Sequence, residues 1–161
     1  MIKVVDKNIV YALEDIIVQQ VNCQGKMGRG LALQLSNEYP DIVTDYIETI
    51  QKFKSSSRCN ENEFYRTLLG TVSVTKCKSK FITSIFGQAF YGSSGKFTDY
   101  GALEKGLLEV RSLANEKNLT IAIPFKIGCD RGGGNWSIVS GMLLDVFSEM
   151  DITLYRYNDR R

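Results

Sequence analysis

The sequence predicts one α/β domain with a central mixed, largely parallel sheet covered by helices on both faces. Three observations carry this. The chain of 161 residues is long enough to bury a core against a sheet and too short for two independent domains, so residues 1–161 are read as one unit. Segments of strand character alternate with segments of helical periodicity. Two of the strands run into glycine-rich turns that lead into helices, the layout that places a ligand at the carboxyl ends of strands in open α/β sheets.

The first unit is strand, loop, helix. Asp15 to Asn22 (DIIVQQVN) reads as a mostly buried strand, and Gly28 to Phe53 reads as helical with a bend where Pro40 follows Tyr39. Lys54 to Glu63 (KSSSRCNENE) mixes Ser, Asn and charge without apolar periodicity and reads as a surface loop. Leu68 to Thr75 and Phe81 to Phe86 have the Val, Ile, Phe and Thr content of two adjacent strands.

Thr98 or Asp99 then caps a helix with Leu103, Leu107, Val110 and Ala114 on one face, ending near Asn118. Ile121 to Pro124 is a short apolar strand. A helix follows from about Trp136 to Met150, its apolar stripe made of Ile138, Val139, Met142, Leu143, Val146 and Phe147. A last strand covers Thr153 to Tyr157.

Composition narrows the function. A net charge of +2 with 24% charged residues is too balanced to supply the electrostatic footprint of a nucleic-acid partner. Cys23, Cys59, Cys77 and Cys129 form no C-x-x-C pair and the chain has no histidine, so no metal and no cofactor is expected. No apolar run has the length of a membrane span, and Met1 to Val10 lacks the layout of a signal peptide, which predicts a cytoplasmic protein with reduced thiols. Without histidine there is no Ser-His-Asp or Cys-His site, and proton transfer falls to carboxylates, lysine, tyrosine or water.

The chemistry is expected in two turns of the same design. The first is VNCQGKMGRG, Val21 to Gly30; the second is IPFKIGCDRGGGNW, Ile123 to Trp136. Glycine lets backbone amides face a ligand, and helix amino ends favour negative charge, so the two turns together would clamp a diphosphate. Either turn alone is equally read as a tight strand-to-helix connection. The pair is the stronger signal, because three successive glycines cost chain entropy without packing return. Neither turn has the order of a P-loop or of a dinucleotide fingerprint.

Over nearly its whole length the chain resembles the macrodomain family. KNIVYALEDIIVQQVNCQGKMGRGLALQL (Lys7 to Leu35) is similar to that family's opening strand, buried strand and first ligand loop. FGQAFYG and KFTDYGALEKGL resemble its middle section, and IAIPFKIGCDRGGGNWSIV resembles its phosphate-binding loop. The resemblance implies a three-layer α/β/α fold and a single macrodomain over residues 1–161. It is greatest to the branch that holds ADP-ribose-1″-phosphate phosphatases and deacylating, guanine-directed or glutamate-directed ADP-ribosyl hydrolases, many of them phage or bacterial. The implied partners are ADP-ribose or a related nucleotide and, beyond it, ADP-ribosylated macromolecules.

Residue by residue, the resemblance implies that Asn8 and Ile9 lie beside the adenine and that Asn22 faces the distal ribose. Gln24, Gly25, Met27, Gly28 and Gly30 would wrap that ribose and a phosphate. Ile127, Gly128, Cys129, Asp130, Arg131, Gly132, Gly133 and Gly134 would hold the diphosphate, with Gly87 and Gln88 beside it. Phe125 or Trp136 either covers apolar ligand surface or packs in the core. Three positions depart from the family pattern. Asn8 stands where many macrodomains have an adenine-reading aspartate. Gly87 and Gly132 stand where the hydrolases that form a lysine adduct have their lysine and its partner aspartate.

The catalytic candidates are Asp130, Asn22 and Gln88. Asp130 would orient a water or accept its proton, although an aspartate in such a turn also hydrogen-bonds its own backbone. Cys129 reads as a packing residue more readily than as a nucleophile. The expected function is binding of ADP-ribose with hydrolysis of a phosphate or ADP-ribosyl linkage at the distal ribose by a positioned water. The alternative is a non-catalytic reader or sequestering protein for such nucleotides.

Overall fold

A computed structural model describes residues 1–92 and 95–157. Its sheet has six strands: β1 (Ile2–Val5), β2 (Ile16–Asn22), β3 (Val72–Cys77), β4 (Lys80–Gln88), β5 (Ile121–Pro124) and β6 (Ile152–Tyr155). Their order is β1-β6-β5-β2-β4-β3, and every neighbouring pair is parallel except β3 with β4. The expected mixed, largely parallel sheet is present. The helices are α1 (Gly30–Glu38), α2 (Asp41–Lys54), α3 (Glu61–Thr67), α4 (Tyr100–Lys117) and α5 (Trp136–Val146), with a 3-10 turn at Ile9–Tyr11.

Three layers follow from where the apolar side chains go. β2 lies inside the sheet and is buried along almost its whole length, Gln19 included, so its side chains do not alternate between buried and exposed. On one face Ile16, Val18, Ile121 and Ile123 pack against Leu103, Leu107 and Val110 of α4 and Val139 and Leu143 of α5. On the other, Ile17, Ile82 and Ala122 meet Leu35 of α1 and Ile42 of α2. A smaller cluster beside it joins Val21, Cys23 and Phe86 to Tyr46 of α2 and Phe64 of α3. Gly106 lets α4 lie close on β4, since a Cβ there would stand 2.3 Å from Ile85 Cγ2. No helix among the described residues is long and apolar enough to cross a membrane.

The helix ends follow local chemistry. Asp99 accepts from the Ala102 amide at 2.9 Å and starts α4, and Asn118 closes it in the left-handed conformation. Asn135 accepts from the Ser137 amide at 2.8 Å and starts α5. Pro40 separates α1 from α2.

Several expectations need correction. Residues 61–63 belong to α3 and not to a loop, because Asn60 accepts from the Glu63 amide in an Asn-x-x-Glu start. Leu68 to Gly70 close α3 instead of starting a strand; Leu68 is buried and Gly70 turns with φ +87°, so β3 begins at Val72. The helix expected to reach Met150 stops at Val146, and Ile138 of its stripe is 47% exposed. The opening strand lies before Lys7, paired with β6, and β6 ends at Tyr155.

Candidate functional site

A cleft of about 850 Å³ opens at the carboxyl ends of β2, β4, β5 and β6. β2 and β5 are neighbours, yet the chain leaving β2 turns to α1 on one face and the chain leaving β5 turns to α5 on the other. This divergence creates a crevice between two loops.

The first loop is organised by Asn22. Its side-chain oxygen accepts from the amides of Gln24 (3.0 Å) and Lys26 (3.4 Å), and its amide group donates to the Lys26 carbonyl at 2.8 Å. Tyr46 of α2 adds its hydroxyl, which lies 3.0 Å from the Asn22 side-chain oxygen, also meets the Asn22 carbonyl, and accepts from the Gly25 amide at 3.1 Å. The loop ends at α1, whose N-cap is Arg29, a side chain with no acceptor to offer. The amides of Gly30, Leu31 and Ala32 therefore begin the helix uncapped, and all three residues line the cleft.

The second loop folds on itself. The Ile127 amide donates to Pro124, Cys129 to Lys126, Gly133 to Asp130 and Gly134 to Gly128. Left over are the amides of Gly128, Asp130, Arg131 and Gly132, which have no acceptor among the described residues although all four residues line the cleft. Gly128 turns with φ +73°. Such a run of free amides is an anion-binding nest. The two loops touch, since Arg131 Nε stands 3.1 Å from where a Cβ on Gly30 would be. Among the described residues Lys26, Arg29, Lys126 and Arg131 line the cleft against one carboxylate, that of Asp130, so these side chains give it a positive potential.

Of the residues singled out from the sequence, Asn8, Ile9, Asn22, Gly28, Gly30, Gln88, Ile127, Gly128, Asp130, Arg131 and Gly132 line the cleft together. The Asn8 side chain accepts from the Val10 amide at 3.0 Å, which fixes it at the head of the 3-10 turn. Asp130 keeps its carboxylate free, with no hydrogen bond to a described residue, so the expected alternative of bonding its own backbone is not what the structure has. Gln88 donates to the Phe90 carbonyl at 2.8 Å and accepts from Gln20 at 2.9 Å.

The others stand behind the lining, each for a packing reason. Gln24 accepts from the Tyr91 amide at 3.0 Å, Gly25 faces Ile47 and Ile50 of α2, and Met27 packs into the clusters under α1 and α2. Gly87 is filled by Gln20, whose side-chain oxygen would stand 2.3 Å from a Cβ there. Gly133 and Gly134 must lack side chains for the loop itself to close: a Cβ would meet the Gly95 carbonyl at 2.1 Å or the Gly128 carbonyl at 2.7 Å, respectively. Cys129 is half-buried, its thiol donating to the Ile127 carbonyl, and burial raises its pKa, which opposes a nucleophilic role. Trp136 backs Phe125 with ring centroids 5.0 Å apart, and Phe125 is the member of that pair that reaches the cleft.

Sequence reasoning missed Gln20, Tyr91, Tyr155 and Tyr157, which also line the cleft. Gln20 ties it together: its amide group donates to Gln88 and to Thr98, each at 2.9 Å, and the Thr98 hydroxyl donates to the Gly128 carbonyl at 2.7 Å. The signal was present as the adjacent Gln19 and Gln20 between apolar residues of the strand. Tyr155 donates to Glu14, and its pKa is pushed up to about 12 by burial first and by that carboxylate second. Among the described residues no group of three His, Cys, Asp or Glu side chains is placed to hold a metal.

No family model matches the chain. It is 24% identical over 145 residues to a DNA ADP-ribosyl glycohydrolase of Mycobacterium tuberculosis, covering 89% of this chain and 38% of that protein. It is 28% identical over 107 residues to an ADP-ribose 1″-phosphate phosphatase of Saccharomyces cerevisiae, covering 65% of this chain and 57% of that protein. The chain thus spans less than two thirds of the length of either relative. Among solved structures, the macrodomain of Mycobacterium tuberculosis DarG superposes with a TM-score of 0.76 at 23% identity, covering 98% of this chain and 97% of that one. Thermosipho africanus DarTG in complex with ADP-ribose superposes at 0.76 with 18% identity, covering 99% of this chain and 42% of that one.

Proposed function

We propose that this chain, whose fold is that of a macrodomain, binds ADP-ribose or a close derivative and hydrolyses a group at its distal ribose. The observation that carries the reading is the pair of amide sets without an acceptor among the described residues, Gly30 to Ala32 in the first loop and Gly128, Asp130, Arg131 and Gly132 in the second, which line one cationic cleft. A diphosphate satisfies both, with Arg131 and Lys126 balancing its charge. Asn8 and Ile9, which line the same cleft, would take the adenine. The resemblance to a glycohydrolase, to a phosphatase and to a protein solved with ADP-ribose supports the same ligand class.

The chemistry falls to Asp130. Its free carboxylate takes a proton from a water as the water's oxygen attacks the anomeric carbon or the phosphorus, and the bond to the leaving group breaks. Asn22 and Gln88 hold the walls in place through the hydrogen bonds already described. Free nucleotides and ADP-ribosylated macromolecules both present this chemistry.

A second reading, binding without turnover, is favoured by one observation. Gly87 and Gly132 offer no side chain, and a Cβ there would crowd Gln20 or Thr98 and the Gly128 carbonyl, which speaks against the lysine-adduct route. Calorimetric titration with ADP-ribose tests binding, and phosphate release from ADP-ribose-1″-phosphate tests turnover. Binding with turnover lost in Asp130→Ala supports the hydrolase, and binding without turnover supports the reader. Absence of binding overturns both.

A further inference from the structure

We infer that Tyr46, which lies outside the cleft on the middle of α2, is a positioning residue for the ligand, its hydroxyl holding the Asn22 to Lys26 turn in the shape that faces the distal ribose. The inference rests on the ligand proposed above. Tyr46 is 1% exposed, and its ring is held in the small cluster under the first loop, edge-on to Phe86 with centroids 5.3 Å apart. A buried phenol requires partners for its hydroxyl. Here all of them lie in the loop: the Asn22 side-chain oxygen at 3.0 Å, the Asn22 carbonyl, and the Gly25 amide, which donates to it at 3.1 Å.

These bonds have a directional consequence. The Tyr46 hydroxyl has a single proton to share between the Asn22 carbonyl and side-chain oxygen. Because that side-chain oxygen also accepts from the Gln24 and Lys26 amides, the Asn22 amide group is the end left to donate, as it does to the Lys26 carbonyl at 2.8 Å. Gly25, at φ +80°, has its Cα side against Ile47 and Ile50 of the same helix. The loop is thereby seated on α2 rather than on its own hydrogen bonds alone. Removing one oxygen from a residue that touches no ligand frees the Gly25 amide and loosens the turn.

The test compares wild type, Tyr46→Phe and Phe64→Leu, a packing change in the same cluster that leaves the Tyr46 hydroxyl in place, by calorimetry with ADP-ribose and with AMP, which lacks the distal ribose and its phosphate. In Tyr46→Phe, ADP-ribose affinity falls about tenfold, 1.4 kcal/mol, while AMP affinity stays within about twofold. Phe64→Leu lowers the melting temperature without changing the ratio of the two affinities. Hydrogen exchange at the Gly25 amide, read without ligand, quickens in Tyr46→Phe alone. Unchanged exchange at Gly25, or equal losses for ADP-ribose and AMP, overturns the inference. A wild type that binds neither nucleotide overturns the proposed function instead, and the exchange result still judges Tyr46.

Discussion

Thr98→Val cuts the link between the two sides of the cleft while changing the volume of the side chain very little. Thr98 is buried, accepts from Gln20 at 2.9 Å and donates to the Gly128 carbonyl at 2.7 Å. Valine removes both bonds. The Gly128 carbonyl keeps the Gly134 amide, but one Gln20 N–H is left in a low-polarity site without an acceptor. Two bonds at about 1 kcal/mol each, with the stranded donor added, give a loss of about 2–3 kcal/mol. For a chain of this length that lowers the melting temperature by roughly 4–12 °C. Thr98→Ser keeps the hydroxyl and serves as the control. Urea and thermal unfolding of the three proteins decide the matter. A loss below about 0.5 kcal/mol in Thr98→Val, or an equal loss in Thr98→Ser, refutes the network as a structural tie.

Gly133→Glu is expected to damage the fold and not merely the ligand site, because its Cβ meets the Gly95 carbonyl at 2.1 Å and its φ is +67°; a melting curve identical to wild type would contradict this. Asp15 accepts from the Thr120 amide and hydroxyl, and these bonds, the backbone one first, hold its pKa below the ordinary value. Its folded pKa being depressed, the stabilisation is present above the unfolded value near pH 4 and fades as pH falls through the folded one. The melting-temperature gap between wild type and Asp15→Asn is therefore full at pH 7 and closes as pH falls through the lowered folded value; a gap independent of pH sinks the argument. In native protein treated with iodoacetamide, mass spectrometry finds Cys59, which is exposed, alkylated well before Cys23, which is buried with its pKa pushed up to about 12. Equal rates would contradict the packing assigned to Cys23.

The layers and the two loops were legible in the sequence because their signals are local. Ile16 to Asn22 is a buried run, Pro40 breaks a helix, Asp99 caps one, and the glycines mark where strands turn. Roles within the loops were less legible, because a glycine facing a ligand and a glycine facing another backbone look alike. Gly128 and Gly132 line the cleft, whereas Gly133 and Gly134 serve contacts with Gly95 and Gly128 that only the folded chain reveals. Gln20 and Tyr46 were missed for a related reason. Each acts through partners distant in the chain, Thr98 for one and the Asn22 loop for the other. α3 was missed although its Asn60 and Glu63 start was present, because seven residues give little periodicity to read.

The order of the strands also constrains when the cleft comes into being during folding. Its floor is made by β2, β4, β5 and β6, and the outer pair β1 and β6 joins segments so remote that Asp6 and Arg156, 150 positions apart, form an ion pair beside it. Contacts of such long range close late, after the loop entropy between them has been overcome. The helices and the β3–β4 hairpin can form early from neighbours in sequence, but neither anion-facing loop meets the other until β5 docks beside β2. A nascent chain released only as far as α4 would therefore hold the first loop without its opposing wall. The nucleotide binding proposed above would thus require the finished fold, and added ADP-ribose should slow unfolding while leaving the early steps of folding unchanged.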